Sequence, residues 1–128
     1  MSSATIDIIT KTPESGEFAL ILVEDGPWPD GNSDWSNCLS RIQNRIYDAI
    51  DIAIDGHLAA KYPDAKGRSV RIQIDSPHGV PKQLMQLISN LRNLFEQKEN
   101  EYHKAIKQSQ FIQGLRVVTG HEVGSFQN

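Results

Sequence analysis

The chain predicts an α+β fold, a two-layer sandwich in which two long helices cover one face of a small three- or four-stranded sheet. Three observations carry that prediction. Near the N-terminus a β-branched segment and a continuous apolar run of strand length are separated only by turn residues, which reads as a hairpin. Two long stretches then place apolar residues at helical spacing, and a segment of alternating residues separates them. The element order is ββαβα with a candidate final strand.

Residues 4–10 are rich in β-branched side chains, with Ala4, Ile6 and Ile8 on one side of a first strand. Lys11 to Gly16 is turn chemistry. Phe18 to Val23 is apolar on both faces, as an interior strand requires. Asn32, Ser33 and Asp34 offer helix caps ahead of a stripe formed by Trp35, Leu39, Ile42, Ile46, Ala49, Ile50, Ala53 and His57. This helix is expected to stop near Lys61, because Pro63 excludes continuation, or one turn earlier at Gly56.

Val70, Ile72 and Ile74 alternate with Arg71, Gln73 and Asp75 in a strand with one wet face. Ser76 to Pro81 breaks the chain before a second helix, whose buried stripe is Leu84, Leu87, Ile88, Leu91, Leu94 and Phe95. Beyond Phe95 the composition turns polar until Tyr102, Ala105 and Ile106, so the helix either runs on to Gln108 or kinks. Unbroken, it would be about 40 Å long and would project as an arm or a dimer contact. Residues 114–119 are the candidate fourth strand, and 121–128 read as a frayed tail. The preferred strand order is 1-2-3, with the third strand parallel to the second through a helical crossover; the antiparallel order 2-1-3 is the alternative.

A length of 128 residues fits a single domain with a core over residues 4–95 and a helical extension, short strand and tail over 96–128. No apolar run approaches the roughly 20 residues of a membrane span, and the first residues lack the pattern of a signal peptide. A cytoplasmic location is expected, which one cysteine, Cys38, also suits. The net charge of −3 hides an asymmetry: residues 1–60 hold ten acidic and three basic side chains, residues 61–128 six and ten. Either that polarity survives in space and steers a partner, or folding mixes the two halves over one surface.

The segment from Glu24 to Gly31 sets Trp28 between Pro27 and Pro29 inside an acidic, glycine-bracketed loop. Both prolines restrict the backbone, so such a loop loses little entropy on binding. Exposed, Trp28 would anchor an interface with Glu24, Asp25 and Asp30 as a charged rim; folded back beside Trp35, it would plug the core. Asp48, Asp51 and Asp55 form a second acidic face, at a spacing that leaves most of a Ca²⁺ shell unfilled. Cys38 and His57 lie nineteen residues apart, about 28 Å on a straight helix, so they form no nucleophile–base pair unless the helix breaks, and Cys38 reads as a small buried side chain. His57 reads as a partly buried residue of the apolar stripe. His57, His78, His103 and His121 lack the paired spacing of helix metal sites, and no phosphate-binding glycine loop is present. Lys98, Lys104 and Lys107 alternate with Glu96, Glu99 and Glu101, which does not describe a nucleic-acid surface.

The motifs Ile6-Asp7-Ile8-Ile9, Val23-Glu24-Asp25-Gly26-Pro27-Trp28, Asp55-Gly56-His57-Leu58 with Tyr62-Pro63, and Val70 to Asp75 resemble those of a family of small bacterial proteins known only as a domain of unknown function. The resemblance covers residues 4 to about 95, and the charged extension after Phe95 departs from it. It implies a domain boundary and a bacterial cytoplasmic setting, with no activity, cofactor or site residue to carry over.

The function these residues suggest is a non-catalytic, acidic protein-binding module, with toxin neutralisation or a defence-accessory role as candidate settings. Its binding residues would be Trp28, Asp25, Asp30, Asp48, Asp51 and Asp55. Two alternatives stand beside it: a small enzyme or ligand sensor built near Asp25, Trp28, His57 and His78, and a homodimeric scaffold held by Leu91, Phe95, Tyr102 and Ile106 on the second helix. No catalytic residue, metal, cofactor, nucleic-acid or membrane partner is expected.

Overall fold

In a computed structural model, which describes residues 6–30 and 32–120, four strands form one mixed sheet in the order β1-β2-β3-β4. The strands are β1 (Ile8–Lys11), β2 (Phe18–Val23), β3 (Arg68–Asp75) and β4 (Ile112–Thr119). The hairpin pairs β1 with β2 antiparallel, and β2, β3 and β4 run parallel. Two successive crossovers move the same way along the sheet, through α1 (Asn32–Ile54) and α2 (His57–Lys61), then α3 (Lys82–Glu96) and α4 (Glu101–Gln108). The preferred strand order is the observed one, and the final strand is a full member of the sheet.

The core lies between one sheet face and the helices. Phe18, Leu20 and Leu22 of β2 and Val70, Ile72 and Ile74 of β3 alternate toward it, meeting Ile42, Ile46, Ala49, Ile50 and Ala53 of α1 and Leu84, Ile88 and Leu91 of α3. These are the stripes that the 3.6-residue and 2-residue periods require. The intervening strand residues, Ala19, Ile21, Arg71, Gln73 and Arg116, lie on the other face.

Several local expectations change. Ile8 is 50% exposed, and it is Ile9 that packs on the core. The register explains this, since Ile9 pairs with the inward Leu20 and Ile8 with Ile21 of the opposite face. Ala4 and Thr5, read as the start of that strand, and the tail 121–128 lie outside the described residues. The first long helix ends at Ile54, not Lys61. Gly56 adopts φ 95°, and a Cβ there would stand 2.8 Å from Phe111 Cζ, so position 56 takes a residue without one. His57 therefore leaves the apolar stripe and is exposed.

The second long helix also breaks. Gln97 and Asn100 take extended backbone, and the Asn100 side chain accepts from the amides of Tyr102 and His103, capping α4. The ring of His103 closes the angle, with Nδ1 2.6 Å from the Phe95 carbonyl oxygen. No projecting arm forms, and α4 folds back onto β4 and α3. Leu94, counted in the buried stripe, is 38% exposed on the outer side of α3. The strand β4 begins two residues earlier than read, because a register shift opposite Arg68 and Ser69 interrupts its alternation near Gln113.

Candidate functional site

The β2–α1 loop and the β3–α3 loop meet at the carboxyl end of the parallel strands. The first loop starts at Glu24, whose amide donates to Asp75 O at 2.8 Å, extending the strand pairing by one residue. Its Gly26–Pro27 peptide is cis, and Gly26 has φ 73°. A Cβ at Gly26 would come within 2.8 Å of the His78 ring, so glycine permits the two loops to touch.

Trp28 is half-buried, stacked on Trp35 of α1 with ring centroids 5.9 Å apart and planes 13° apart. Its Nε1 donates to Gly79 O at 3.3 Å. The ring thus lies between the two expectations, beside Trp35 and against the core margin but not sealed within it. Asp25 and Asp30 are exposed next to it, as is Asp34 at the start of α1.

Glu24 does not join that rim. It is 4% exposed and its carboxylate receives Nη1 and Nη2 of Arg41 at 3.1 and 2.8 Å, and Nη1 of Arg45. Arg45 also donates to Val23 O at 3.0 Å and to Asp7 Oδ2 at 3.1 Å, while Asp7 Oδ2 accepts from the Val23 amide. Burial alone would raise the Glu24 pKa, but the hydrogen bonds and charges of the two guanidiniums outweigh it and hold the carboxyl below its usual value. Glu24, Arg41 and Arg45 escaped the sequence reading as a unit. The available signal was two arginines four residues apart, hence on one face of α1, the helix that follows an acidic strand end.

A polar hollow of about 300 Å³ opens here, lined by Glu24, Asp25, Trp28, Cys38, Arg41 and Arg45. Cys38 is half-buried one turn before Arg41 and has no histidine in this lining. Among the described residues no group of three or more His, Cys, Asp or Glu side chains is arranged to hold a metal.

The other candidate residues lie elsewhere. Asp48 and Asp51 sit near the far end of α1, about 20 to 25 Å of helix away from Asp34, and Asp55 follows its last residue. Asp48 and Asp55 are exposed, whereas Asp51 faces Tyr102 of α4. Burial, then the charge of Asp55, raises the Asp51 pKa, and burial followed by the Asp51 carboxylate pushes the Tyr102 phenol up to about 12. His57 is at the amino end of the sheet, because α1 runs back the full length of the crossover before it. The set Asp25, Trp28, His57 and His78 is thus not one site: Asp25 and Trp28 share the hollow, the His78 ring lies against Gly26 of the same loop, and His57 is at the other end of the sheet. Leu91 of α3 is buried and Phe95 packs on the core, while on α4 Tyr102 stacks on Tyr47 at 4.8 Å and 8° and Ile106 packs on the core; Phe95, Tyr102 and Ile106 stay partly exposed.

The charge halves also mix in space. Glu17, from the acidic half, accepts from Arg71 Nη1 at 2.8 Å and from Arg116 Nε and Nη2 at 2.9 and 3.0 Å. Lys11 pairs in turn with Asp64.

The fold and its loop end meet a known pattern. A family model described as a family of unknown function (DUF6572) matches residues 1–110. The chain belongs to that family. The match takes in the Trp28 loop, both helical segments and the capped turn between α3 and α4, so the family pattern extends past Phe95, where the sequence resemblance was expected to end. It stops just before β4. No curated protein and no solved structure matches the chain. Among the described residues, no helix is long and apolar enough to cross a membrane.

Proposed function

We propose that the protein is a non-catalytic binding module that receives a protein partner at the carboxyl end of its sheet, with Trp28 as the anchor and Asp25 and Asp30 as the rim. The observation that carries this reading is the state of the Trp28 ring. It is held on one side by Trp35 and at its nitrogen by Gly79, yet is not sealed in the core. A half-exposed, pre-organised tryptophan gives up little side-chain entropy when a partner covers it, which is the character of an interface hot spot. Two exposed carboxylates beside it, with Glu24 withheld by arginines, favour a partner with a basic contact surface. A bacterial cytoplasmic setting, in which a small acidic protein masks a basic toxin or accompanies a defence system, is consistent with this charge and size.

A second reading draws on the His78 ring lying against Gly26. In it Asp25, Trp28 and His78 form a small ligand-sensing or catalytic site, without His57.

Recovery of the tagged protein from its own cells tests the first reading. A stoichiometric partner is expected with the wild type and with a triple Asp48→Asn, Asp51→Asn, Asp55→Asn variant. It is expected to be lost with Trp28→Ala and reduced with Asp25→Asn/Asp30→Asn. Equal recovery with Trp28→Ala would count decisively against this docking site.

A further inference from the structure

The break at Gly56 has a second effect, at the opposite end of the molecule from Trp28. Because α2 turns away from the line of α1, and β1 is only four residues long, a groove of about 440 Å³ opens between them. Its apolar lining is Ile6, Ile9, Ile52 and Leu58. Its remaining lining residues are His57, Lys61 and Tyr62, which α2 and its C-cap set on one side of the opening. His57 and Lys61 are four residues apart and share a face of α2. All three are exposed, and none makes a side-chain hydrogen bond or ion pair among the described residues. No Asp or Glu lines the groove, although the chain as a whole carries −3, and Asp64 next along the chain is taken by Lys11.

An aliphatic floor bordered by an ammonium, an imidazole and a phenol, with no carboxylate, matches one ligand chemistry. We propose that this groove binds a medium-chain carboxylate, its alkyl chain along Ile6, Ile9, Ile52 and Leu58 and its carboxylate at Lys61, with His57 and Tyr62 as hydrogen-bond donors. The volume falls in the range of roughly 300 to 1,000 Å³ typical of small-ligand sites. The hydrocarbon supplies the drive to leave water, and the donors select the head group. The inference is independent of the Trp28 reading, since the two sites share no residue.

Methyl-resolved NMR titration of the full chain with decanoate, below its micelle concentration, tests it. Saturable shifts are expected at Ile6, Ile9, Ile52 and Leu58, with decanol binding at least tenfold more weakly. Lys61→Glu, an exposed substitution that leaves the core intact, is expected to weaken decanoate at least tenfold, and Trp28→Ala to leave it unchanged. Four results would overturn the proposal: no saturable shift in the groove, equal binding of decanol, concentration-dependent broadening of the groove without ligand, which means a second copy covers it, or tighter binding of an acidic leucine-containing peptide, which means a protein partner does.

Discussion

Glu17 and Glu24 bracket β2, one residue before it and one after, and each is clamped by two arginines; the two clamps are built in different ways. Glu24 draws both partners from the next element of the chain, Arg41 and Arg45 on α1, and is nearly sealed from solvent. Glu17 draws its partners from β3 and β4, 54 and 99 residues away, on the sheet face turned from the helices. Arg71 continues into a polar ladder, its Nε donating to Gln73 Oε1 at 2.8 Å and Gln73 Nε2 donating to Asp75 Oδ1 at 2.9 Å. The first clamp fixes the entry of the crossover helix, and the second ties the three parallel strands together. The difference teaches that one motif, a glutamate between arginines, serves local geometry at one end of a strand and long-range order at the other.

Removing the sealed carboxylate is expected to cost most. Glu24→Ala takes the shared carboxylate from Arg41 and Arg45, although Arg45 keeps Val23 O and Asp7, and breaking a buried pair from one side costs about 3 to 5 kcal/mol. Urea unfolding followed by circular dichroism reads this directly, and a loss below about 1 kcal/mol would mean that the arginines turn to water freely. Glu17→Ala is expected to cost somewhat less, about 2 to 4 kcal/mol, because the Glu17 side chain is less deeply sealed, 13% exposed against 5% for Glu24, while the exposed partner is much the same in the two clamps, Arg116 at 53% and Arg41 at 57%.

Acid titration sharpens the same contrast. For Glu17 the Arg116 hydrogen bond leads, and burial opposes it; for Glu24 burial leads in the raising sense, and the Arg41 and Arg45 hydrogen bonds overcome it. In both the folded value lies below the ordinary 4.5, so the unfolded chain takes up protons first as pH falls. Their contribution is complete above that value and is lost as pH drops through the lowered folded values. The decline in unfolding midpoint from pH 5 to pH 3 should therefore be shallower in Glu17→Gln and in Glu24→Gln than in the wild type. Asp51 works in the opposite sense: its raised folded value gives stability that is present at low pH and lost as pH rises through it. An Asp51→Asn variant removes that offset and should show a steeper acid decline.

The smallest expected effect lies at neither clamp. Tyr102 stacks on Tyr47 and faces Asp51, and its phenol is pushed up to about 12. Its contribution is present below the ordinary value of 10 and is lost as pH rises through about 12. Ultraviolet titration should show one tyrosine ionising near pH 12, absent in Tyr102→Phe, with a change of less than about 1 kcal/mol at pH 7. Ionisation of all tyrosines near 10 would show that α4 does not hold Tyr102 against α1.

The apolar residues of β2, the alternation of β3 and the stripes of α1 and α3 were legible because periodicity alone assigns them a face. A residue repeat of 2 or 3.6 reports which side chains can share an interior, whatever lies opposite. The preferred strand order followed from the same reasoning, since a helical crossover between neighbouring strands makes them parallel. The helix breaks were legible only as options: Gly56 and the polar stretch after Phe95 permitted them, but Phe111 against Gly56 and the His103 contact with Phe95 are what the folded chain supplies.

For the candidate site the division is similar. The sequence by itself determined that an acidic loop carrying a tryptophan follows β2, because the two prolines restrict the backbone without help from neighbours. It offered Trp35 as a resting place for Trp28 without choosing it, and it could not assign Glu24 to two arginines, bring His78 to Gly26 or send His57 to the other end of the sheet. Those placements depend on where α1 and the β3–α3 loop arrive in space. Ion pairs and ring stacks between distant residues have no periodic signature, so only the tertiary structure decided which charges are neutralised inside the fold and which remain at its surface.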